Sequence, residues 1–356
     1  MNQQELYMQR CIELAKLGAG NTRTNPMVGC VIVHQNKIIG EGWHQQYGGP
    51  HAEVNAIGAV ANHEWLEDAE LYVSLEPCAH HGKTPPCVDL IIEKKIKKVV
   101  IGMADPFDQV AGRGIQKLRE HNVDVTIGVL EQNCKELNKR FIHYHTAKRP
   151  YIILKWAQTQ DGFIAPDINH CTPEEFEEKR HITGRIVQQL VHKWRSQEAA
   201  IMVGTNTVLT DNPALNNRAW PGNAPVRVII DRYERLLQFP HLKVFDGSQP
   251  TLLFTSNHAY EKFASTVYIN LLDLSKPMWE QIVDVLYQKQ IVSLIVEGGN
   301  QLLTHLINHH HWDEAQVFTT PAFLQNGILA PQINGMLPKE SHRVDGVQLH
   351  IYRNNT

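Results

Sequence analysis

His51-Ala52-Glu53, followed by Glu76-Pro77-Cys78-Ala79-His80-His81-Gly82-Lys83-Thr84-Pro85-Pro86-Cys87, decides how this chain is read. One imidazole and two thiols make a metal-ligand set, and the carboxylate two residues beyond the imidazole stands outside it. Zinc takes neutral imidazole and thiolates, keeps a position open in catalytic sites, and lowers the pKa of bound water to about 7. Glu53 is close enough to take a proton from such a water and deliver it to a departing amine. The pattern therefore predicts hydrolytic attack on an amino-substituted, nitrogen-rich ring. Two plainer readings stand beside it: a core histidine lying near two buried cysteines, and a Cys78–Cys87 disulfide.

Working outward, Leu6, Cys11, Leu14, Ala15 and Leu17 recur at near-helical spacing before Gly18 and Gly20. Val28 to Val33 reads as a buried strand closed by the turn Gln35-Asn36-Lys37. A helix from His51 to Ala61 would carry His51 and Glu53 in its first turn. Leu71 to Leu75, Val99 to Met103 and Val123 to Leu130 read as strands, with a helix at Gly114 to Glu120. This order predicts an α/β layered domain. Lys148-Arg149-Pro150 breaks it, giving domains 1–147 and 148–356. Beyond it, strands at Tyr151 to Trp156, Ala199 to Val203, Val226 to Ile230, Leu252 to Thr255 and Val292 to Val296 alternate with helices at Gly184 to Trp194, Trp279 to Tyr287 and Gln301 to Asn308. A second α/β domain with a largely parallel sheet follows, with Val347 to Tyr352 as an antiparallel edge.

The 356 residues suffice for two cores. Lys and Arg number 34 against 37 Asp and Glu, a formal charge of −3, which disfavours a nucleic-acid backbone as partner. Six cysteines, at 11, 30, 78, 87, 134 and 171, are spread too thinly for a disulfide framework, so a reducing compartment is expected and the disulfide reading is weakened. Met1 to Arg10 lacks the apolar core of a signal peptide, and no run suits a membrane span; the expectation is a cytoplasmic protein. A homo-oligomer is left open. His309-His310-His311 reads as the exposed end of a helix or as a metal tract.

In the second half, Glu297-Gly298-Gly299 follows the most apolar strand and precedes a helix, so backbone N–H groups there could cradle a phosphate; a plain tight turn reads equally well. Val110-Ala111-Gly112-Arg113-Gly114 lacks the third glycine of the Rossmann fingerprint, so a nicotinamide site requires another fold. Arg195 and Arg218 are candidates for a bidentate phosphate clamp, or solvated surface arginines.

Thr24-Asn25-Pro26-Met27-Val28-Gly29, His51-Ala52-Glu53 and the Ser74 to Cys87 stretch together resemble the bacterial bifunctional riboflavin-biosynthesis deaminase/reductases. The His-x-Glu then Pro-Cys order is that of zinc deaminases, but eight residues separate Cys78 from Cys87 where the short form has two. The resemblance continues through Leu154-Lys155-Trp156-Ala157, Asp161-Gly162, Ile182-Thr183-Gly184, Val203-Gly204, Asp211 to Leu215, Arg218 and Glu297 to Gly299, nearly the whole chain. It implies a cytidine-deaminase-like three-layer domain followed by a dihydrofolate-reductase-like α/β domain, with Zn2+ and NADPH as cofactors. The implied substrate is a small phosphoribosylaminopyrimidine, deaminated and then reduced at its ribosyl group. By this resemblance His51, Cys78 and Cys87 hold zinc and Glu53 shuttles protons, while Asn25, His44, His80, Lys83 and Thr84 contact substrate. Ala157, His181, Thr207, Asp211 and the run Gly299, Asn300, Gln301, Leu302, Leu303, Thr304 and His305 match cofactor positions. Lys179, Arg195, Leu215, Arg218 and Glu297 match substrate positions. The sequence departs from its relatives at Lys179-Arg180-His181 and at Phe107 to Gly112. A rival reading is a nucleoside or tRNA deaminase carrying a non-catalytic nucleotide-binding C-terminal domain; the acidic balance and the long inter-cysteine loop oppose it.

Overall fold

The structure, a computed structural model, describes residues 1–81, 85–106, 112–167, 170–256, 260, 263 and 265–354. Contacts divide the chain into two compact units, Met1–Arg149 and Pro150–Thr356. Among the described residues no helix is long and apolar enough to cross a membrane.

The first unit runs α1 (Gln3–Lys16), β1 (Gly29–His34), β2 (Lys37–Trp43), α2 (Ala52–Gly58), β3 (Glu70–Val73), α3 (Cys87–Glu93), β4 (Lys98–Ile101), α4 (Arg113–Glu120), β5 (Asp124–Ile127), α5 (Glu131–Leu137) and α6 (Lys139–Ala147). Asn2 and Glu5 start α1 as a reciprocal capping box. Gln35 and Asn36, at φ +48° and +61°, make the tight turn that pairs β1 with β2. The sheet order is β2-β1-β3-β4-β5, antiparallel around β1 and parallel from β3 to β5. Alternate residues of each strand face opposite ways. Cys30, Ile32, Leu71, Val73, Val99 and Ile101 meet α2, α3 and α4. Val31, Val33, Tyr72 and Val100 meet α1 and α5, which completes three layers.

Two expected elements are shorter than their apolar patterns. The helix begins at Ala52 with His51 as its N-cap and ends at Gly58. The strand expected from Val123 to Leu130 stops at Ile127, because Gly128 and Leu130 turn to φ +92° and +52° to start α5.

The second unit contains β6 (Tyr151–Gln158), β7 (Phe163–Ala165), α7 (Pro173–Lys179), α8 (Arg185–Gln197), β8 (Ala200–Gly204), α9 (Thr205–Asp211), β9 (Val226–Ile230), β10 (Thr251–Thr255), β11 (Val267–Leu271), α10 (Met278–Gln288), β12 (Ser293–Val296), α11 (Asn300–Asn308), β13 (Glu314–Thr319), β14 (Ile328–Leu329), β15 (Glu340–Val344) and β16 (Val347–Arg353). Its main sheet has the order β11-β10-β9-β8-β12-β6-β13-β16-β15, parallel as far as β13. Strand β16 is antiparallel as expected but is not the edge: Asp345-Gly346, both at positive φ, turns the chain so that β15 covers it. Ile152, Leu154, Met202, Val228, Leu294 and Val296 pack on α10 and α11. Ile153, Ile201, Val203, Ile229 and Ile295 meet Val208 of α9 and Leu215 on the other face. The ends of β6, β12, β8 and β9 share one edge, where a parallel sheet leaves its binding crevice.

Helix α2 carries His51 and Glu53 directly against β2, and two glycines permit the approach. A Cβ on Gly42 would lie 2.3 Å from the Ala56 nitrogen and 2.6 Å from the Ala52 carbonyl oxygen. Both neighbours are backbone and cannot turn away. Gly42→Ala should destabilise the first unit by about 1–3 kcal/mol through overpacking and weaken its zinc affinity, since α2 must shift. Thermal unfolding and zinc titration check this; an unchanged Tm and zinc affinity would show that α2 tolerates the displacement.

Candidate active sites

In the first unit His51 caps α2, Cys87 is the first residue of α3, and Cys78 lies in the segment between β3 and α3. Their ligand atoms lie within 4.8 Å of one another, the sole such group of metal-binding side chains among the described residues. His51 Nδ1 is 3.5 Å from Cys78 Sγ and 3.3 Å from Cys87 Sγ. With Zn–N near 2.0 Å and Zn–S near 2.3 Å, tetrahedral ligands sit roughly 3.5–3.8 Å apart. The donors therefore fit zinc without rearrangement. All six cysteines are free, so no Cys78–Cys87 disulfide forms. The hydrogen bond from Cys87 and the neighbouring His51 draw the Cys78 thiol down to about 4, against the effect of burial. The Cys87 thiol moves upward through that same bond and its own burial. A zinc ion would hold both as thiolates.

Glu53 is 3% exposed, and its Oε2 is buried with no hydrogen-bond partner. Burial, then the charge of Cys78, raises its carboxyl to about 7. Beside the cluster, the rings of His44 and His51 meet edge to face at 5.5 Å. The Pro50 carbonyl, 3.1 Å away, can only accept, so His44 carries its proton on Nδ1 and its Nε2 accepts from Asn25 Nδ2 at 3.0 Å. Burial lowers the His44 pKa, in keeping with a neutral ring. Glu76 is buried and collects the backbone N–H groups of Asp105, Gly112, Gly114 and Ile115 at 2.9–3.3 Å, tying the start of α4 to the Pro77-Cys78 segment. His80 is exposed, and Lys83 and Thr84 lie outside the described residues.

The second unit has a cleft of about 1480 Å³ at its strand ends, lined by Lys155, Ala157, Arg218, Arg232, Glu297 and Gly299 among others. Glu297 leaves β12 and takes a two-pronged bond from Arg195, Nε to Oε1 at 2.8 Å and Nη2 to Oε2 at 2.7 Å, with Lys155 Nζ at 3.7 Å. Burial alone would raise the Glu297 pKa, but Arg195 and Lys155 bring it down to about 2. Burial lowers that of Lys155. Gly299 N donates to Thr207 Oγ1 at 2.9 Å, and a Cβ on Gly298 would come within 2.9 Å of Leu302 Cδ2. Three successive carbonyls of the neighbouring loop are caught by side chains: Ala214 by Arg227 at 3.0 Å, Leu215 by Gln249 at 3.0 Å and Asn216 by Arg195 at 3.1 Å.

Comparison with known proteins agrees with both halves. The model of the cytidine and deoxycytidylate deaminase zinc-binding region matches residues 1–103, and that of the RibD C-terminal domain matches 150–338. The riboflavin biosynthesis protein RibD of Actinobacillus pleuropneumoniae is 41% identical over 83% of this chain and 78% of its own length. That of Aquifex aeolicus is 38% identical over 90% and 88%.

The chain belongs to the RibD family.

A solved structure from Thermotoga maritima, described as a diaminohydroxyphosphoribosylaminopyrimidine deaminase/5-amino-6-(5-phosphoribosylamino)uracil reductase, is 38% identical, covering 99% of this chain and 98% of that one with a TM-score of 0.83. Acinetobacter baumannii RibD, form 1, superimposes with a TM-score of 0.86 at 30% identity over 99% of both chains. As a RibD-family member the protein is a bifunctional riboflavin-biosynthesis enzyme, joining a zinc-dependent deaminase to an NADPH-dependent reductase of dihydrofolate-reductase-like fold. A deaminase with a non-catalytic appendage is not favoured.

The cleft does not take up every expected residue. Gly299, Asn300, Gln301, Leu302 and His305 line it, but Leu303 is fully buried in the core, since a helix turns that position away from the cleft. Thr304 bonds Asn300 instead and does not line it. Lys179 is exposed at the end of α7 and does not line it either, whereas Arg180 and His181 do. Asp211 reaches the cleft, 3.8 Å from Arg180. The bidentate face of Arg195 is spent on Glu297, so the phosphate clamp expected of it has only its remaining N–H groups. Sequence reasoning passed over Glu76, Lys155 and Arg227. Lys155 and Arg227 each interrupt an apolar buried strand, and an ionic residue in such a run is the signal that could have found them.

Breaking a buried ion pair from one side leaves a charge uncompensated at a cost of about 3–5 kcal/mol. Arg195→Ala should therefore destabilise the second unit by about that amount. The depressed Glu297 pKa contributes stability that is complete above its ordinary 4.5 and lost as pH falls through about 2, so the variant should also unfold at a higher pH than the parent. Denaturant and acid unfolding curves measure both; a change under 1 kcal/mol would mark the pair as surface decoration.

Proposed function

We propose that the first site hydrolytically deaminates 2,5-diamino-6-(5-phosphoribosylamino)pyrimidin-4-one and that the second reduces the ribosyl group of the product to ribityl. Supporting this substrate are the end-to-end likeness to the Thermotoga maritima protein and, above all, the Glu53 carboxyl, one of whose oxygens has no partner, beside a three-donor zinc set. His51, Cys78 and Cys87 would hold the zinc, which when bound would supply a nucleophilic water at neutral pH. Glu53 would take a proton from the attacking water and return it to the nitrogen of the amine, which leaves as ammonia. Asn25, oriented by His44, contacts the pyrimidine or the phosphate together with His44 and His80; Lys83 and Thr84, assigned the same contacts by the resemblance, lie outside the described residues.

In the second site NADPH, when bound, would supply the hydride that reduces the ribosyl carbon. Gly299 and its helix hold the cofactor phosphates, and Ala157, His181, Thr207 and Asp211 contact the rest of it. Lys155, made more acidic by burial, gives the proton to the ribose oxygen that is freed as the ring opens. Glu297 with Arg195 orients the substrate beside Leu215, and Arg218 binds its phosphate. The setting is the cytoplasm, where six thiols stay reduced, and a charge of −3 fits a small nucleotide better than a polynucleotide.

Purified protein should carry about one zinc per chain. Glu53→Gln should keep that zinc while ammonia release falls by about 100-fold or more. Metal analysis and an ammonia assay separate the outcomes, since loss of zinc or retention of activity would remove Glu53 from its role. In the second site, Arg218→Ala should raise the KM for the deaminated intermediate about 10- to 150-fold, from roughly 1.5–3 kcal/mol per charge-assisted bond, and leave ammonia release alone. Steady-state kinetics with a dephosphorylated analogue complete the comparison: equal discrimination by parent and variant would make Arg218 a surface residue.

A further inference from the structure

Neither reaction uses the histidine run His309-His310-His311, yet the backbone at the end of α11 is built to bring imidazoles together. His309 is the C-cap of α11. His310 turns to φ +55°, its N–H bonding the Ile307 carbonyl at 3.1 Å and that of His311 the Leu306 carbonyl at 2.9 Å. These are the bonds of a Schellman motif, which folds the chain back over the last turn of the helix. The rings form a row as a result. His305 and His309 have centroids 4.2 Å apart, His309 and His311 stack at 5.8 Å with 17° between their planes, and His311 stacks on Trp279 of α10 at 5.6 Å. Trp279 is buried in the core, so the row is anchored at that end.

His305 and His309 are the pair whose geometry suits a metal ion. Residues four apart share a helix face, and this is the spacing by which two histidines of one helix bind zinc. His309 Nδ1 lies 2.8 Å from the His305 carbonyl, which can only accept, so Nδ1 carries the proton and Nε2 keeps its lone pair. A backbone carbonyl on the far nitrogen is the usual orienting partner of a metal-bound imidazole. Among the described residues no hydrogen bond engages the His305 ring. Both residues are exposed, and an ion can reach them from solvent. His311 adds no third donor, because among the described residues the ligand atoms of three such side chains gather within 4.8 Å only at His51, Cys78 and Cys87. Two imidazoles therefore hold the ion alone, with water in its other positions.

We propose that His305 and His309 form a second metal site, separate from the deaminase centre, for a divalent transition-metal ion of the Ni2+, Cu2+ or Zn2+ class. Imidazole suits these ions, whereas Mg2+ and Ca2+ take oxygen donors. With two neutral donors the site exchanges its ion readily, unlike a centre with two thiolates. His305 also lines the reductase cleft, which puts the ion at the margin of that cleft.

Equilibrium dialysis of the zinc-loaded, full-length protein against Ni2+, followed by elemental analysis, tests the site without turnover. The parent should take up about one Ni2+ beyond its zinc, bind Cu2+ more tightly than Ni2+, and take up no Mg2+ at the same concentration. His305→Gln and His309→Gln should each weaken Ni2+ binding about 10-fold or more, since even an outer-shell partner of a metal is worth about 10- to 100-fold. Unfolding curves establish that these surface variants fold. His310→Asn, a neighbour in the left-handed backbone that Asn tolerates, should bind Ni2+ as the parent does. No uptake of Ni2+ by the parent, or unchanged binding by folded His309→Gln, would overturn the site. An equal loss in His310→Asn would overturn it too, by assigning the binding to the histidine run rather than to the pair on α11.

Discussion

A buried carboxylate must gather donors or lose its charge, and four of them shape the two sites of this protein. Glu76 gathers four backbone N–H groups and so ties α4 to the cysteine segment. Asp231 gathers backbone and hydroxyl donors and sets the turn beyond β9. Glu297 is held by Arg195 and Lys155 at the floor of the reductase cleft. Glu53 is the exception. One of its oxygens has no donor, its carboxyl is raised to about 7, and it stands next to the three side chains that could hold a metal ion. The satisfied carboxylates build the scaffold, and the one with an open oxygen is the one proposed to exchange a proton.

The same logic orders the reductase half. A parallel sheet sends its loops to one edge, so residues from β6, β8, β9 and β12 meet in a single cleft although about 140 positions separate Ala157 from Gly299 in sequence. Donors reaching three consecutive carbonyls hold the Ala214-Leu215-Asn216 loop against that edge. Arg227, itself fully buried, spans from this loop to Asp246 and Ser248. Rigidity on this side of the cleft therefore comes from hydrogen bonding to irregular backbone, with little regular secondary structure.

The layered architecture is legible in the sequence because buried strands such as Val28 to Val33 and Val292 to Val296 are short apolar runs bounded by turn residues. The cluster of His51, Cys78 and Cys87 is legible because its side-chain types restrict the chemistry more tightly than any periodicity does. What stays hidden depends on tertiary context. Leu303 belongs to a stretch that matches cofactor positions, yet a helix presents only some of its residues to a cleft. Arg195 reads as a free phosphate ligand until Glu297 is seen across 102 positions of sequence. The edge strand β15 is absent from the pattern because Glu340–Val344 is mostly exposed and polar, although Asp345-Gly346 is a hairpin signal.

One chain joins a zinc-dependent site and an NADPH-dependent site, and the two are expected to work separately. Following ammonia release and NADPH oxidation together, with the diaminopyrimidinone substrate and then with its deaminated product, with and without a zinc chelator, tests this most directly. The prediction is that ammonia appears before NADPH is consumed, that chelation stops both signals when the first substrate is supplied, and that it spares NADPH oxidation when the deaminated product is supplied. NADPH oxidation from the deaminated product that fails on chelation, or that proceeds from the first substrate without ammonia release, would contradict it.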